Sequence, residues 1–214
     1  MSTEVLNAEI SLLPAGVCVS PTKKRLYEVA TEMFGTRGFA AASLRDLADA
    51  LGIKSPSLYA HVSSKQQLLF ELAIIGQTEH RDRLKEALLD AGADPVHQMS
   101  ALVGAHVLVH LQLPLLARVT SVEIRHLDLE HLARLRVVRN EAERMFMDVL
   151  HRGIRRGAFD ADNPARSMRA IADMGIRAAE WVDPVLVEDH QSIASEYIAI
   201  ALRVVGARRT PPGA

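Results

Sequence analysis

The chain has 214 residues and a mass of 23.5 kDa; it is 49% hydrophobic but only 4% aromatic, and its formal net charge is −1. No stretch reaches the roughly 18 uninterrupted apolar residues of a membrane span, and a single cysteine, Cys18, excludes an internal disulfide or a thiolate metal site. An aliphatic, Gly- and Pro-poor composition predicts an all-α protein, and the lack of a basic start followed by an apolar stretch and a cleavage site makes the cytoplasm the expected compartment.

Charge is unevenly placed along the chain. Residues 20–65 carry seven Lys or Arg against four Asp or Glu, a net of +3, whereas residues 1–19 and 66–214 carry −2 each. A basic module on an acidic body points to a polyanionic partner at one end. Residues 1–19 and 207–214 are expected as flexible tails.

The prolines mark helix starts. Ser20-Pro21, Ser55-Pro56, Asp94-Pro95 and Asn163-Pro164 each place an N-cap residue before a proline at the first helical position. Ser43-x-x-Asp46 and Ser64-x-x-Gln67 add two capping boxes. The first helix spans 21–37, with Leu26, Val29, Ala30, Met33 and Phe34 on one face and Gly38 as its stop. The second carries Leu44, Leu47, Ala48 and Leu51 and ends at Gly52. The third starts at Pro56 with Leu58 and Val62 inward and Ser57, Tyr59, Ala60 and His61 outward. The fourth runs from Lys65 to about Asp90, long enough to join a small head to a larger body. Beyond Asp94 the periodicity predicts helices at 95–112, 115–126, 129–156, 164–182 and 190–206. The domain reading is a helix-turn-helix head at 20–64 and a ligand-binding and dimerisation body at 65–206.

Two short helices joined by a three-residue turn containing Gly have the spacing of a helix-turn-helix. A major groove about 12 Å wide admits one helix, whose leading residues reach base edges. Ser55, Ser57, Tyr59 and His61 then face DNA, with Lys54 and Lys65 as flanking phosphate contacts.

The wording of this stretch is more specific than its geometry. Phe34-Gly35-Thr36-Arg37-Gly38-Phe39, Ser43-Leu44-Arg45-Asp46-Leu47-Ala48 and Gly52-Ile53-Lys54-Ser55-Pro56-Ser57-Leu58-Tyr59-Ala60-His61-Val62, followed by Lys65 and Leu68-Leu69, closely resemble the DNA-binding domain of the TetR family of bacterial transcription regulators. One departure is Val62, where the family usually has an aromatic. The resemblance implies a three-helix head, a connector helix, and a helical body that binds a small effector and dimerises through its last two helices. It implies phosphate contacts at Ser43, Tyr59, His61 and Lys65, and base contacts at Arg45, Lys54, Ser55 and Ser57.

Glu123-x-Arg125, Arg139-Asn140, Leu150-x-x-Gly153-x-x-x-Gly157-x-Phe159 and Trp181 before Asp183-Pro184 are similar to the C-terminal part of TetR-type regulators of fatty-acid and sterol degradation. That resemblance implies an acyl-CoA thioester as effector. Failing that, another large apolar acid is the expected effector, and Arg139, Arg169 and Arg177 are candidate partners for such a carboxylate or for the phosphates of the carrier. His106 and His110 stand as polar points in an apolar cavity, with Met145, Val149, Met174 and Trp181 as its apolar lining. Ile193, Tyr197, Ile200, Ala201 and Val204 form an apolar stripe on the last helix, read as a homodimer face.

Two other readings compete. A helical metal-dependent oxidase would use the histidines, but a four-helix di-metal site needs two Glu-x-x-His motifs and two further glutamates, and only Glu123 with His126 fits. No metal and no cofactor is expected. A helical interaction module that does not bind DNA is the other. No Gly-x-Ser-x-Gly, phosphate-binding Gly-rich loop or His-Glu-x-x-His supports an enzyme.

Overall fold

The computed structural model describes residues 11–181 and 189–208. Among the described residues it holds nine α-helices, one 3₁₀ turn and no strand. The helices are α1 (Pro21–Arg37), α2 (Leu44–Leu51), α3 (Ser55–Leu58), α4 (Lys65–Asp90), α5 (Pro95–Gln112), α6 (Pro114–Ser121), α7 (Leu129–Arg155), α8 (Pro164–Trp181) and α9 (His190–Val204), with the 3₁₀ turn at Glu123–His126 after α6. The expected all-α class, with a helix-turn-helix head and a larger helical body, is the observed one.

The helix starts are set by caps. Ser20 accepts from Lys23 N, Ser43 from Asp46 N, Ser64 from Gln67 N, and Asp94 from both Val96 N and His97 N, each satisfying orphan donors of a first turn. The Ser43 box is complete, with Asp46 returning a bond to Ser43 N at 2.8 Å. That bond and one from Ser43 Oγ hold the Asp46 carboxyl below its usual range. The Ser64 box is half made, because the Gln67 amide turns away to Glu71 Oε1 at 3.0 Å and to His131 of α7 at 3.3 Å.

Several boundaries differ from expectation, α6 starting at Pro114, α7 ending at Arg155 and α9 at Val204 among them. α3 begins at Ser55 rather than Pro56, with Lys54 at the N-cap position and no side-chain cap. The helix expected at 115–126 ends at Ser121, where the Thr120 and Ser121 hydroxyls both donate to Ala117 O and compete with the helical ladder. Residues 11–19 are not a free tail: Leu13 and Pro14 are buried, and Leu13 joins the head core. Arg208, assigned to the other tail, donates its N–H to Ala158 O and pairs with Asp160 at 3.1 Å. Residues 1–10 and 209–214 lie outside the described residues.

Apolar side chains form two clusters. One fills the head and its junction with the body, from Leu26, Phe34, Leu47 and Leu58 to Leu68, Leu116 and Val119. The other fills the body among α5, α7, α8 and α9, around Met99, Leu102, Phe146, Val149 and Ile171. α6 sits between them, packed on α1, α4 and α8. Two glycines permit that approach. A Cβ on Gly35 of α1 would stand 3.0 Å from Leu115 Cβ, and one on Gly76 of α4 would stand 2.5 Å from Thr120 Cγ2.

Gly76→Ala sets helix propensity against packing. The exchange gains about 1 kcal/mol in a helix interior, but overpacking a close contact costs about 1–3 kcal/mol. We expect net destabilisation, read by chemical denaturation. A stabilised variant would contradict the α4–α6 contact.

Candidate functional site

The head presents one polar face. Gly52 adopts the left-handed conformation (φ 66°) at the end of α2, and Ile53 N bonds back to Ala48 O at 3.0 Å, a Schellman turn that swings the chain into α3 within three residues. Leu58 and Val62 then point into the core at 0% and 4% exposure, while Tyr59 of the same turn is 58% exposed. Lys54, Ser57 and Ala60 are exposed beside it, and Ser55 and His61 are half-buried. Ser43 and Arg45 are exposed at the start of α2, where Arg45 stands 3.9 Å from Asp49. The eight residues expected at a DNA interface therefore lie on α2, α3 and the start of α4, or at the caps and turn beside them: Ser43 and Lys54 at N-caps, Tyr59 at the end of α3 and His61 in the turn before α4.

Lys65 differs from a free phosphate contact. Its ammonium donates to Phe39 O at 2.8 Å and Ala42 O at 2.7 Å and lies 4.1 Å above the Phe39 ring. Partial burial lowers its pKa. Two of its three donors hold the α1–α2 loop, leaving one for a phosphate.

The body contains a cavity of about 700 Å³, within the range of small-molecule sites. Its walls come from α4 (Gly76, Gln77, His80), α5 (His106, Val109, His110), α6 (Leu116, Ala117, Thr120, Ser121), α7 (Arg139, Ala142, Glu143, Phe146) and α8, which contributes Arg166, Met168, Arg169, Ala172 and Arg177 among others. The lining differs in exposure, and Arg139 lies near enough to His80 for its charge to disfavour protonation of that ring. His106 and His110 are 3% and 8% exposed, whereas Arg139, Arg166, Arg169 and Arg177 are exposed. Arg177 pairs with Glu180. Among the described residues, no acidic group pairs with Arg139, Arg166 or Arg169.

Three histidines meet at the buried end. His80 Nε2 lies 2.8 Å from His106 Nδ1, His106 Nε2 lies 3.0 Å from Ala172 O, and His110 Nδ1 lies 2.6 Å from His106 O. Gly175 makes room for the His106 ring, which a Cβ there would overlap. Burial pushes the His106 pKa down to about 3 and lowers His80 and His110 as well, so all three rings are neutral at pH 7. Despite ring centroids 4.6–5.5 Å apart, no group of three or more His, Cys, Asp or Glu among the described residues could hold a metal ion.

Residues 26–72 match the family described as bacterial regulatory proteins of the tetR family, and residues 92–205 match the tetracyclin repressor-like C-terminal domain. The chain belongs to the TetR family. The HTH-type transcriptional repressor KstR2 of Mycobacterium tuberculosis is 30% identical over 190 residues, covering 86% of this chain and 92% of that protein. The solved structure of that ketosteroid transcriptional regulator superposes with a TM-score of 0.81 at 26% identity, covering 92% of this chain and all of the other. A tetR-family regulatory protein from Rhodococcus RHA1 gives 0.83 at 26% identity, covering 89% and 100%. TetR-type proteins bind operator DNA and small-molecule effectors and act as dimers. This chain is a DNA-binding transcription regulator of that type and not an enzyme, so the oxidase and the DNA-independent module both fall. No single helix among the described residues is long and apolar enough to cross a membrane.

The TetR-type body corrects part of the expected effector lining. His106, His110, Arg139, Arg169 and Arg177 reach the cavity, but Met145, Val149 and Met174 pack in the body core instead. On α7 the cavity takes residues 139, 142, 143 and 146; Val149 continues that face one turn further along, where it is fully buried in the core, and Met145 lies on the next face. Trp181 ends α8, and its side chain lies outside the described residues, as does Asp183-Pro184. Sequence reasoning missed His80, Arg166 and Phe146. His80 reaches the site only because α4 packs along α5, which no spacing within α4 discloses. In α9, Ile193 and Ala201 of the expected dimer stripe are buried, and α9 packs along α5 of its own body. Tyr197, Ile200 and Val204 remain half-buried.

The buried histidines fix a pH dependence. An unfolded histidine takes up a proton near pH 6.5, whereas the folded His106 waits until about 3, so the unfolded state binds more protons in between and stability falls as pH drops through that window. Thermal unfolding of the wild type is expected to lose midpoint steadily below about pH 6.5, and His106→Leu to flatten that slope. Equal slopes in both proteins would contradict a neutral buried ring.

Proposed function

We propose that this regulator is a cytoplasmic homodimeric repressor that binds a pseudo-palindromic operator and leaves it when a fatty or sterol-derived acyl-CoA thioester, or failing that another large apolar acid, enters the body cavity. The observation that carries the DNA-binding geometry is the aromatic Tyr59, exposed at the end of the one-turn helix α3 while Leu58 before it and Val62 after it are buried. In this reading Arg45, Lys54, Ser55 and Ser57 address bases, and Ser43, Tyr59, His61 and the remaining donor of Lys65 address phosphates. Two heads on a two-fold axis through α8 and α9 read two half-sites.

The effector reading rests on the polarity of the cavity. Arg139, Arg166 and Arg169 lack acidic partners among the described residues and stand at its exposed side, suited to a carboxylate or to the phosphates of a carrier. Val109, Leu116 and Phe146 line its interior, suited to a greasy acyl group. The relationship to a ketosteroid regulator supports a ring-bearing acyl group. Release follows from linkage: an effector that prefers a head spacing unsuited to the operator lowers DNA affinity by the factor by which DNA lowers its own, typically about 5- to 150-fold.

Tyr59→Ala is expected to weaken binding to all duplexes, and Ser57→Ala to change which duplex is preferred, both measured by anisotropy across a sequence panel. Unchanged affinity of Tyr59→Ala at physiological salt would remove α3 from the interface. In a DNA-release titration, long-chain and ring-bearing acyl-CoAs should displace operator where free CoA does not. Equal displacement by free CoA would end the thioester reading, and a footprint without dyad symmetry would end the dimer.

A further inference from the structure

The ring and hydroxyl hydrogens at the deep end of the cavity are directed at the protein's own acceptors. Ala172 O and His106 O can only accept, so His106 must carry its hydrogen on Nε2 and His110 must carry its hydrogen on Nδ1. His106 Nδ1 is then a lone pair, and it takes the Nε2 hydrogen of His80. Two nitrogens are left bare: His80 Nδ1 and His110 Nε2, neither with a partner among the described residues. Thr120 donates its one hydroxyl hydrogen to Ala117 O at 3.1 Å, and Ser121 does the same at 2.6 Å, so their oxygens are left as acceptors in the lining. Gln77, with one amide hydrogen directed at Thr120 O at 3.4 Å, keeps both a donor and an acceptor and favours neither. Protonation would convert a bare nitrogen into a donor, and burial opposes it in all three rings.

We propose that this end of the cavity is a hydrogen-bond acceptor surface, centred on His80 Nδ1 and His110 Nε2, that selects an effector carrying a hydroxyl at the end remote from its acid group. A ketone or a bare hydrocarbon at the same place leaves buried acceptors without a donor, and sites built to bond a hydroxyl reject the analogue that lacks it strongly. The orientation follows from exposure: acid or carrier toward the exposed Arg166 and Arg169, hydroxyl toward the histidines, with Arg139 near His80 helping to keep that ring unprotonated. The inference rests on the effector cavity proposed above but not on the thioester.

The test is a binding titration with cholanic acid and its ring-A hydroxy and oxo derivatives, each as free acid and as coenzyme A thioester. The hydroxy compound is expected to bind at least about tenfold more tightly than the oxo and deoxy compounds in whichever form binds. That preference should collapse in His110→Leu and in His80→Phe, with thermal unfolding as the check on fold. Imidazole nitrogen NMR of the wild type gives a second readout independent of any variant, and should find His110 Nε2 and His80 Nδ1 unprotonated. Equal or tighter binding of the oxo compound, a preference that survives both variants, no binding by any member, or a proton on His110 Nε2 overturns the proposal. A hydroxyl preference confined to the free acids sinks the thioester reading and leaves this one standing. Thioester binding without a hydroxyl preference does the reverse.

Discussion

The carboxylate of Glu123 is 2% exposed and accepts the backbone N–H of Phe39 at 2.9 Å. The two residues belong to different parts of the chain, the 3₁₀ turn after α6 and the loop between α1 and α2. A buried carboxylate without partners costs several kcal/mol, so the bond ties the head to the body wherever Glu123 is to remain inside. Gly38 aims the donor: its φ of 87° ends α1 and turns Phe39 N toward the carboxylate, a conformation that a side chain would strain. Around Phe39 the other ties gather. Lys65 holds its carbonyl and covers its ring, His126 stacks on it at 5.4 Å, and Gln66 donates to His126 O at 2.6 Å.

This junction gives the cavity a route to the head. α6 forms one wall of the cavity through Leu116, Ala117, Thr120 and Ser121, and two residues later the chain reaches Glu123. The same helix presses against α1 at Gly35 and α4 at Gly76 with no room for a side chain. Tightly packed contacts of this kind are two-state rather than elastic. A ligand that moves α6 must therefore shift α1, α4 or the Phe39 loop with it, and α4 begins at the Lys65 that fixes the same loop.

Much of this was legible in the sequence because local rules and the fold agree. Ser20, Ser43, Ser64 and Asp94 cap the helices they were expected to start, and the Gly52 turn sets the head's geometry with residues adjacent in the chain. What escaped depends on contacts between distant elements. His80 and His106 are 26 positions apart, and Phe39 and Glu123 are 84 apart; no periodicity links them. Glu123 was noted in the sequence for its spacing to His126 and Arg125, and its bond across the junction has no local signature. Met145 and Val149 show the opposite failure, since apolar residues on a helix read alike whether they face a core or a cavity. Leu13 and Pro14 are not legible because a segment without helical periodicity reads as a tail, whereas Leu13 and Val17 pack it on the head core.

The central claim is that the head's DNA-binding geometry depends on the Glu123–Phe39 bond. Operator affinity of Glu123→Ala, measured by anisotropy at a temperature where the variant is shown to be folded, tests it most directly. Removing the acceptor leaves a buried N–H unpaired, and the account predicts operator binding at least about tenfold weaker, equivalent to about 1.4 kcal/mol. Wild-type affinity in a folded variant would mean that the head is positioned without this tie.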